Sequence, residues 1–147
     1  MNSKHLVPAL CFSLILLSQG CSSKHPQATN FQNIEKGICH DTGSGLMWQN
    51  EKSQTIKTLE EAQRYVKNLN IGGYTDWRLP TVYELYDLNY IFDIHLNGEC
   101  VLDRKGRYWS GEKDGEGKAG SWEISDQCDP ARRYFSGTDG YVRAVRP

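Results

Sequence analysis

Apolar residues fall at helical spacing in the middle of the chain and alternate towards its end. Leu59, Ala62, Tyr65, Val66 and Leu69 recur behind Thr58-Leu59-Glu60-Glu61. In such a capping box the Thr58 hydroxyl accepts from the third helical amide and Glu61 reaches back, so an amphipathic helix is predicted over 59–69, closed by Gly72-Gly73. Asp76-Trp77-Arg78-Leu79-Pro80 reads as extended, because the residue before a proline avoids the helical region. Thr81-Val82-Tyr83-Glu84 forms a second box, with Pro80 and Leu85 at the staple positions, and predicts a helix over 82–88. Short strands are predicted at 45–49, at 108–110 and 121–124 as an antiparallel pair around a glycine-rich loop, and at 141–146. Residues 93–107 and 125–138 show turns and no period. The order is that of an α+β domain with two helices on small antiparallel sheets and long loops.

The first thirty residues follow a different logic. Lys4 precedes a mostly apolar run, Leu6 to Leu17, which has the length of a signal-peptide core and not of a membrane span. Ser18-Gln19-Gly20 leads into Cys21 where that run ends. This predicts a signal peptide over 1–20 and a lipidated Cys21, with secretion and a free Cys21 thiol as the alternative. Residues 21–38 then read as the lipidated cysteine and a flexible tether, polar and containing Pro26, and 39–147 as the domain. Ser22 after the cysteine points to the outer membrane, with a periplasmic or secreted protein as the alternative.

Composition narrows the function. Across 147 residues, 17 Lys and Arg face 18 Asp and Glu, a formal net charge of −1, which argues against a nucleic-acid binder. Mean hydropathy of −0.62 excludes a polytopic membrane protein. Four Trp and eight Tyr argue against disorder. Of the five Cys, Cys11 leaves with the leader. An exported chain permits disulfides, and Cys100 and Cys128, both in the loop-rich half, are the pair expected first, worth ~3–4 kcal/mol, with Cys39 free or paired to another chain. No metal or cofactor is expected. There is no C-x-x-C, Cys39-His40-Asp41 would point apart in a strand, and Glu99, Asp126 and Asp129 lack a calcium-loop spacing.

Thr42-Gly43-Ser44-Gly45-Leu46-Met47-Trp48-Gln49, then Tyr74-Thr75-Asp76-Trp77-Arg78-Leu79-Pro80-Thr81 with Glu84-Leu85, then Tyr108-Trp109-Ser110, then Val142-Arg143-Ala144-Val145-Arg146 resemble, in order, the signatures of the Lcl C-terminal domain family. That family is named after a collagen-like bacterial adhesin. The resemblance covers about residues 39–147 and implies a C-type-lectin-like fold, with glycan binding as one option. The Trp77–Thr81 element with Glu84 also resembles a segment of the formylglycine-generating enzymes, but their copper-binding cysteine motif is not found, nor are the E-P-N, Q-P-D or W-N-D triplets of calcium-dependent lectins.

Candidate chemistry is sparse. No G-x-S-x-G occurs, only His40 and His95 lie in the folded part, and Glu60, Glu61 and Glu84 are explained by helix starts, so no catalytic residue is assigned. Trp48, Trp77, Trp109 and Trp122 fit core packing better than a sugar platform. Arg78, Arg143 and Arg146, with Pro80 and Glu84, fit buried ion pairs or backbone clamps, with Glu84 or Asp76 as partners. The candidate ligand residues are Lys113, Lys118, Arg132, Arg133 and Tyr134, with Arg104, Lys105 and Arg107 nearby. If their loops converge, they make a basic patch suited to sulfated glycans or anionic wall polymers; interleaved Asp114, Glu116, Asp126 and Asp129 favour a solvated surface instead. The expectation is a non-catalytic envelope lipoprotein, held to the membrane by its lipid, that recognises a glycan or another surface polymer. An assembly factor binding another envelope protein is the alternative, and an enzyme the third reading. Oligomeric state is not legible.

Overall fold

The computed structural model describes residues 31–35, 37–112, 114–124 and 132–147. The expected leader, Cys21, Lys113 and Cys128 lie outside the described residues. Strands β1 (Phe31–Glu35), β2 (Ile38–Asp41) and β3 (Met47–Gln49) precede helices α1 (Leu59–Lys67) and α2 (Val82–Asp93), and β4 (Tyr108–Trp109), β5 (Ala119–Ile124), β6 (Arg132–Gly137) and β7 (Val145–Arg146) follow. They form a four-stranded antiparallel sheet, ordered β1-β2-β3-β7, and a three-stranded antiparallel sheet, ordered β4-β5-β6. The α+β class expected from the pattern is the one observed.

The helices begin at their caps. Thr81 Oγ1 accepts from the Glu84 amide at 3.1 Å, and Glu84 Oε2 accepts from the Thr81 amide at 2.7 Å, a complete capping box. At α1 the Thr58 hydroxyl accepts from the Glu61 amide at 3.2 Å, but Glu61 accepts from the Lys57 amide, one residue before the cap. α1 ends at Lys67 with Asn68 as its cap. Gly72 and Gly73 turn the chain afterwards, between the bridged Ile71 and Tyr74. α2 runs five residues past the predicted Leu88, because Ile91 and Phe92 continue its buried face.

Four strands depart from the expectation. β1 lies inside the stretch read as tether: only Phe31 of its five residues is buried, so no apolar alternation marks it. β2, not expected as a strand, begins at the last residue of that stretch and buries Ile38, Cys39 and Asp41. β6 occupies part of an expected loop, zipped onto β5 from Ala119↔Gly137 to Ile124↔Arg132. The predicted strand at 141–146 keeps ladder pairing only at its end, where Trp48 pairs with Val145 and Met47 with Arg146.

Two apolar clusters hold these layers. One gathers Phe31, Trp48, Leu85, Leu88, Phe92, Leu102 and Tyr108 around α2. The other gathers Ile38, Ala62, Val66, Trp77, Leu79, Trp109 and Val142 around α1. Trp48, Trp77 and Trp109 are buried, whereas Trp122 is half-buried with its Nε1 donating to the Val82 carbonyl at 2.8 Å. Cys39 and Cys100 lie in the first cluster and form a disulfide, with Cα atoms 6.0 Å apart. This corrects the Cys100–Cys128 pairing: β2 and the loop after α2 meet around Asn33, which brings together cysteines 61 residues apart in sequence.

Candidate functional site

The Trp77–Thr81 segment crosses between the two helices and is tied down at both ends. Arg78 exchanges both backbone hydrogen bonds with Val145, at 2.9 Å each. Trp77 Nε1 donates to the Tyr74 carbonyl at 3.1 Å, and the Pro80 carbonyl accepts from the Gly111 amide at 2.9 Å. With its backbone committed, the segment forms the floor of a cleft of about 610 Å³. Trp77, Leu79 and Val66 line that floor, Gln63 and Lys67 come from α1, Thr75 from the preceding turn, and Gly111 and Glu112 from the far wall.

Arg78 and Glu84 sit in this cleft already bound to each other. Arg78 Nη1 and Nη2 donate to the two Glu84 oxygens at 2.8 and 2.6 Å. Burial would push the Glu84 carboxyl up, but the hydrogen bonds from Arg78 and the Thr81 amide, with the Arg78 charge, outweigh it and hold the carboxyl below its usual range. The Arg78 guanidinium is held above its usual range by the Glu84 hydrogen bond. An acid so fixed is a poor proton donor at neutral pH, and both groups are spent on holding the wall of the cleft. Glu112 accepts from the Val82 amide at 3.3 Å. Lys67 is the cleft cation without an ion-pair partner among the described residues. The cleft therefore offers an apolar floor and a rim of ammonium, amide, hydroxyl and carboxylate groups.

The other signature arginines bind within the fold. Arg146 pairs with Asp76, Nε to Oδ1 at 2.6 Å and Nη2 to Oδ2 at 3.0 Å, and its guanidinium lies 4.0 Å from the Tyr74 ring centroid. Arg143 is 1 % exposed and donates to the carbonyls of Gln49, Asn50 and Asp103 at 2.9, 2.5 and 2.6 Å. It acts as a clamp between the four-stranded sheet and the loop before β4.

The expected basic residues do not gather into one patch among the described residues. β6 alternates, so Arg132 and Tyr134 face α2 while Arg133 and Phe135 face the other way. Arg132 forms an ion pair with Asp93, which also takes Arg104 Nη1 at 2.9 Å. Arg107 is paired with Asp139. Lys118 lies 5.4 Å from the Tyr134 ring centroid, and Tyr134 packs on Trp122 at 5.3 Å with burial pushing its hydroxyl up. A hollow of about 560 Å³ lies beside Arg104, Lys105 and Arg132, but Asp93, Asp103 and Glu123 line it too.

Sequence reasoning placed Trp77, Arg78, Pro80 and Glu84 in the frame of the fold and missed that the same segment floors a cleft. Gln63, Lys67, Thr75 and Glu112 were not singled out. Lys67 reads as a helix-end lysine favoured by the dipole, and nothing local joins it to Glu112.

A family model described as the Lcl C-terminal domain matches residues 37–146, most of the chain and every element from β2 to β7. The chain belongs to the Lcl C-terminal domain family. No curated protein and no solved structure matches it. The Lcl C-terminal match spans all the residues that build the cleft, from Gln63 to Glu112. Among the described residues no group of three or more His, Cys, Asp or Glu is placed to hold a metal ion, and no helix is long and apolar enough to cross a membrane.

Proposed function

We propose that this chain is a lipid-anchored recognition module of the bacterial envelope, displayed at the outer membrane through Cys21, whose cleft over Trp77–Thr81 takes a glycan segment without transforming it. The observation that carries this reading is the composition of the cleft. Its floor is apolar, its rim presents separate donors and acceptors, and the charges of Arg78 and Glu84 are spent on each other. A pyranose ring has the matching form, with apolar C–H faces and equatorial hydroxyls. Membership of a family whose model is described by the C-terminal domain of Lcl supports a surface-related role. A C-type-lectin-like arrangement of the two sheets belongs to the same proposal.

The test is binding by the full chain in detergent micelles to a glycan array, followed by titration of the best ligand. Thr75→Trp, which fills the cleft, and Lys67→Glu, which inverts its free charge, are expected to weaken binding about tenfold or more, equivalent to about 1.4 kcal/mol. Lys118→Glu with Arg133→Glu is expected to leave it unchanged. Binding lost with the second pair and kept with the first would move the ligand to the β5–β6 loops. An array without ligands, together with a stable co-purifying envelope protein, would replace this reading by an assembly role.

A further inference from the structure

Helix α2 is apolar on both sides. Leu85, Leu88, Ile91 and Phe92 face the core. At 100° per residue, Tyr83, Asp87, Tyr90 and Ile94 form one stripe on the opposite side. Tyr83 is 75 % exposed and Tyr90 49 %. Tyr86 flanks the stripe, stacked on Tyr90 at 6.3 Å and braced edge-on against Trp122 at 5.0 Å. Asp87 is the stripe's single charge, and burial pushes its carboxyl up, with Glu84 and Asp41 adding to the effect. Solvent-facing helix sides are normally built from Lys, Glu and Gln, so this stripe departs from the pattern of a free surface helix.

The stripe leads to the point where the chain enters the domain. After α2 the segment from His95 to Cys100 folds over β1. The Glu99 amide donates to the Phe31 carbonyl at 3.1 Å, and Asn33 donates to the Glu99 carbonyl at 3.0 Å. Gly98 adopts φ +53°, and a Cβ there would stand 2.3 Å from the Phe31 carbonyl, so only glycine allows this contact. Val101, next along, is 84 % exposed. Nine residues separate Cys21 from Phe31 in the sequence. A chain of that length reaches at most about 35 Å, while a domain of this size has a radius of gyration of about 13 Å. At its r.m.s. span of about 17 Å such a segment keeps the entry end on average nearer the anchor than the far end, and a contact is needed to fix the orientation.

We propose that the α2 stripe of Tyr83, Tyr90 and Ile94, continued by Val101, is a membrane-contact surface that seats the domain on the phospholipid headgroup layer of its own anchoring membrane. This rests on the reading that Cys21 carries lipid. Tyrosine suits that layer, with a ring among the acyl-chain ends and a hydroxyl in water. Asp87 and the exposed Glu99 keep the contact at headgroup depth. Asp93, at the end of α2, is neutralised by Arg104 and Arg132. Seated this way, the domain has a fixed orientation and not free rotation about a tether.

The experiment is photo-crosslinking of the full chain in native membranes, with p-benzoylphenylalanine introduced in turn at Tyr90, Val101 and Phe135. Phe135 is half-exposed on the face of β6 turned away from α2 and serves as the control. The expected result is a phospholipid adduct at Tyr90 and Val101 and none at Phe135. Capture of a second copy or another protein at Tyr90, equal lipid labelling at all positions, or no lipid labelling would overturn the proposal. Intact mass of the same preparation separates the two premises. Acyl mass on Cys21 without lipid adducts removes only the seating; absence of acyl mass removes the anchor and the seating with it.

Discussion

Reduction of the Cys39–Cys100 bond is the sharpest test of how this domain is held. The bond ties β2 to the loop after α2 across 61 residues of sequence. Closing a loop of that length in the unfolded chain removes entropy of about 14 cal/mol/K, which raises folding stability by about 4 kcal/mol at 25 °C in the chain-entropy model. Both cysteines are fully buried in the cluster with Phe31, Trp48 and Phe92, so two separate thiols must also fit where one bridged pair now packs. Against a total of ~5–15 kcal/mol for a domain of this size, the loss is a large fraction. Urea unfolding followed by tryptophan fluorescence, with and without a phosphine reductant, measures it directly. The expected outcome is a midpoint falling by about one-third or more, with the thermal midpoint lower by about 15–25 °C. Cys39→Ala with Cys100→Ala is expected to show the lower stability in both conditions and no response to reductant. A wild-type midpoint that does not move, with mass spectrometry confirming reduction, would refute the reasoning. Peptide mapping that joins Cys100 to Cys128 would refute the pairing itself.

Arg143→Met should cost about 3–5 kcal/mol, because three backbone carbonyls lose a charged donor inside the fold. Urea denaturation checks this, and a loss under 1 kcal/mol would show that the clamp is dispensable. The Glu84 carboxyl titrates below its usual range in the folded chain, so its contribution is complete above the unfolded value and is lost as pH falls through the folded one. Asp76 is held low by Arg146, and Asp103 by Lys52, with the same sign. Glu84→Gln is therefore expected to flatten the acid limb of the urea midpoint against pH without abolishing it, and an unchanged slope would disprove the Glu84 share.

What was legible in the sequence is what local physics controls. Thr58 and Thr81 announce their helices because a cap acts within four residues. Trp48, Trp77 and Trp109 carry enough apolar area that burial is the natural expectation. Contacts across long stretches left no such mark. β1 buries only Phe31 and takes its pairing from β2, so Phe31-Gln32-Asn33-Ile34-Glu35 looks like more tether. Nothing around Cys39 marks it as the partner of Cys100 across 61 residues, when Cys128 follows Cys100 far more closely in the sequence. Arg132 and Arg133 look like one basic site until strand alternation turns them to opposite faces, and only one of them meets Asp93. The cleft escaped notice because its floor uses residues already explained by folding, and its rim comes from α1, a turn and the loop after Pro80.

The seam between β3 and β7 has a consequence for timing. Val142, Arg143, Ala144 and Val145 are all buried, and they close contacts with Trp48, Gln49 and Ser53, made almost a hundred residues earlier. A ribosome delivers the β3 partners long before the β7 ones. Until the final signature emerges, β3 lacks its neighbour, Gln49 and Asn50 lack the Arg143 clamp, and both clusters stand open. The two clusters are thus completed late, by a segment far along the chain from the strand it covers, and such long-range closure is slow compared with the formation of α1 and α2.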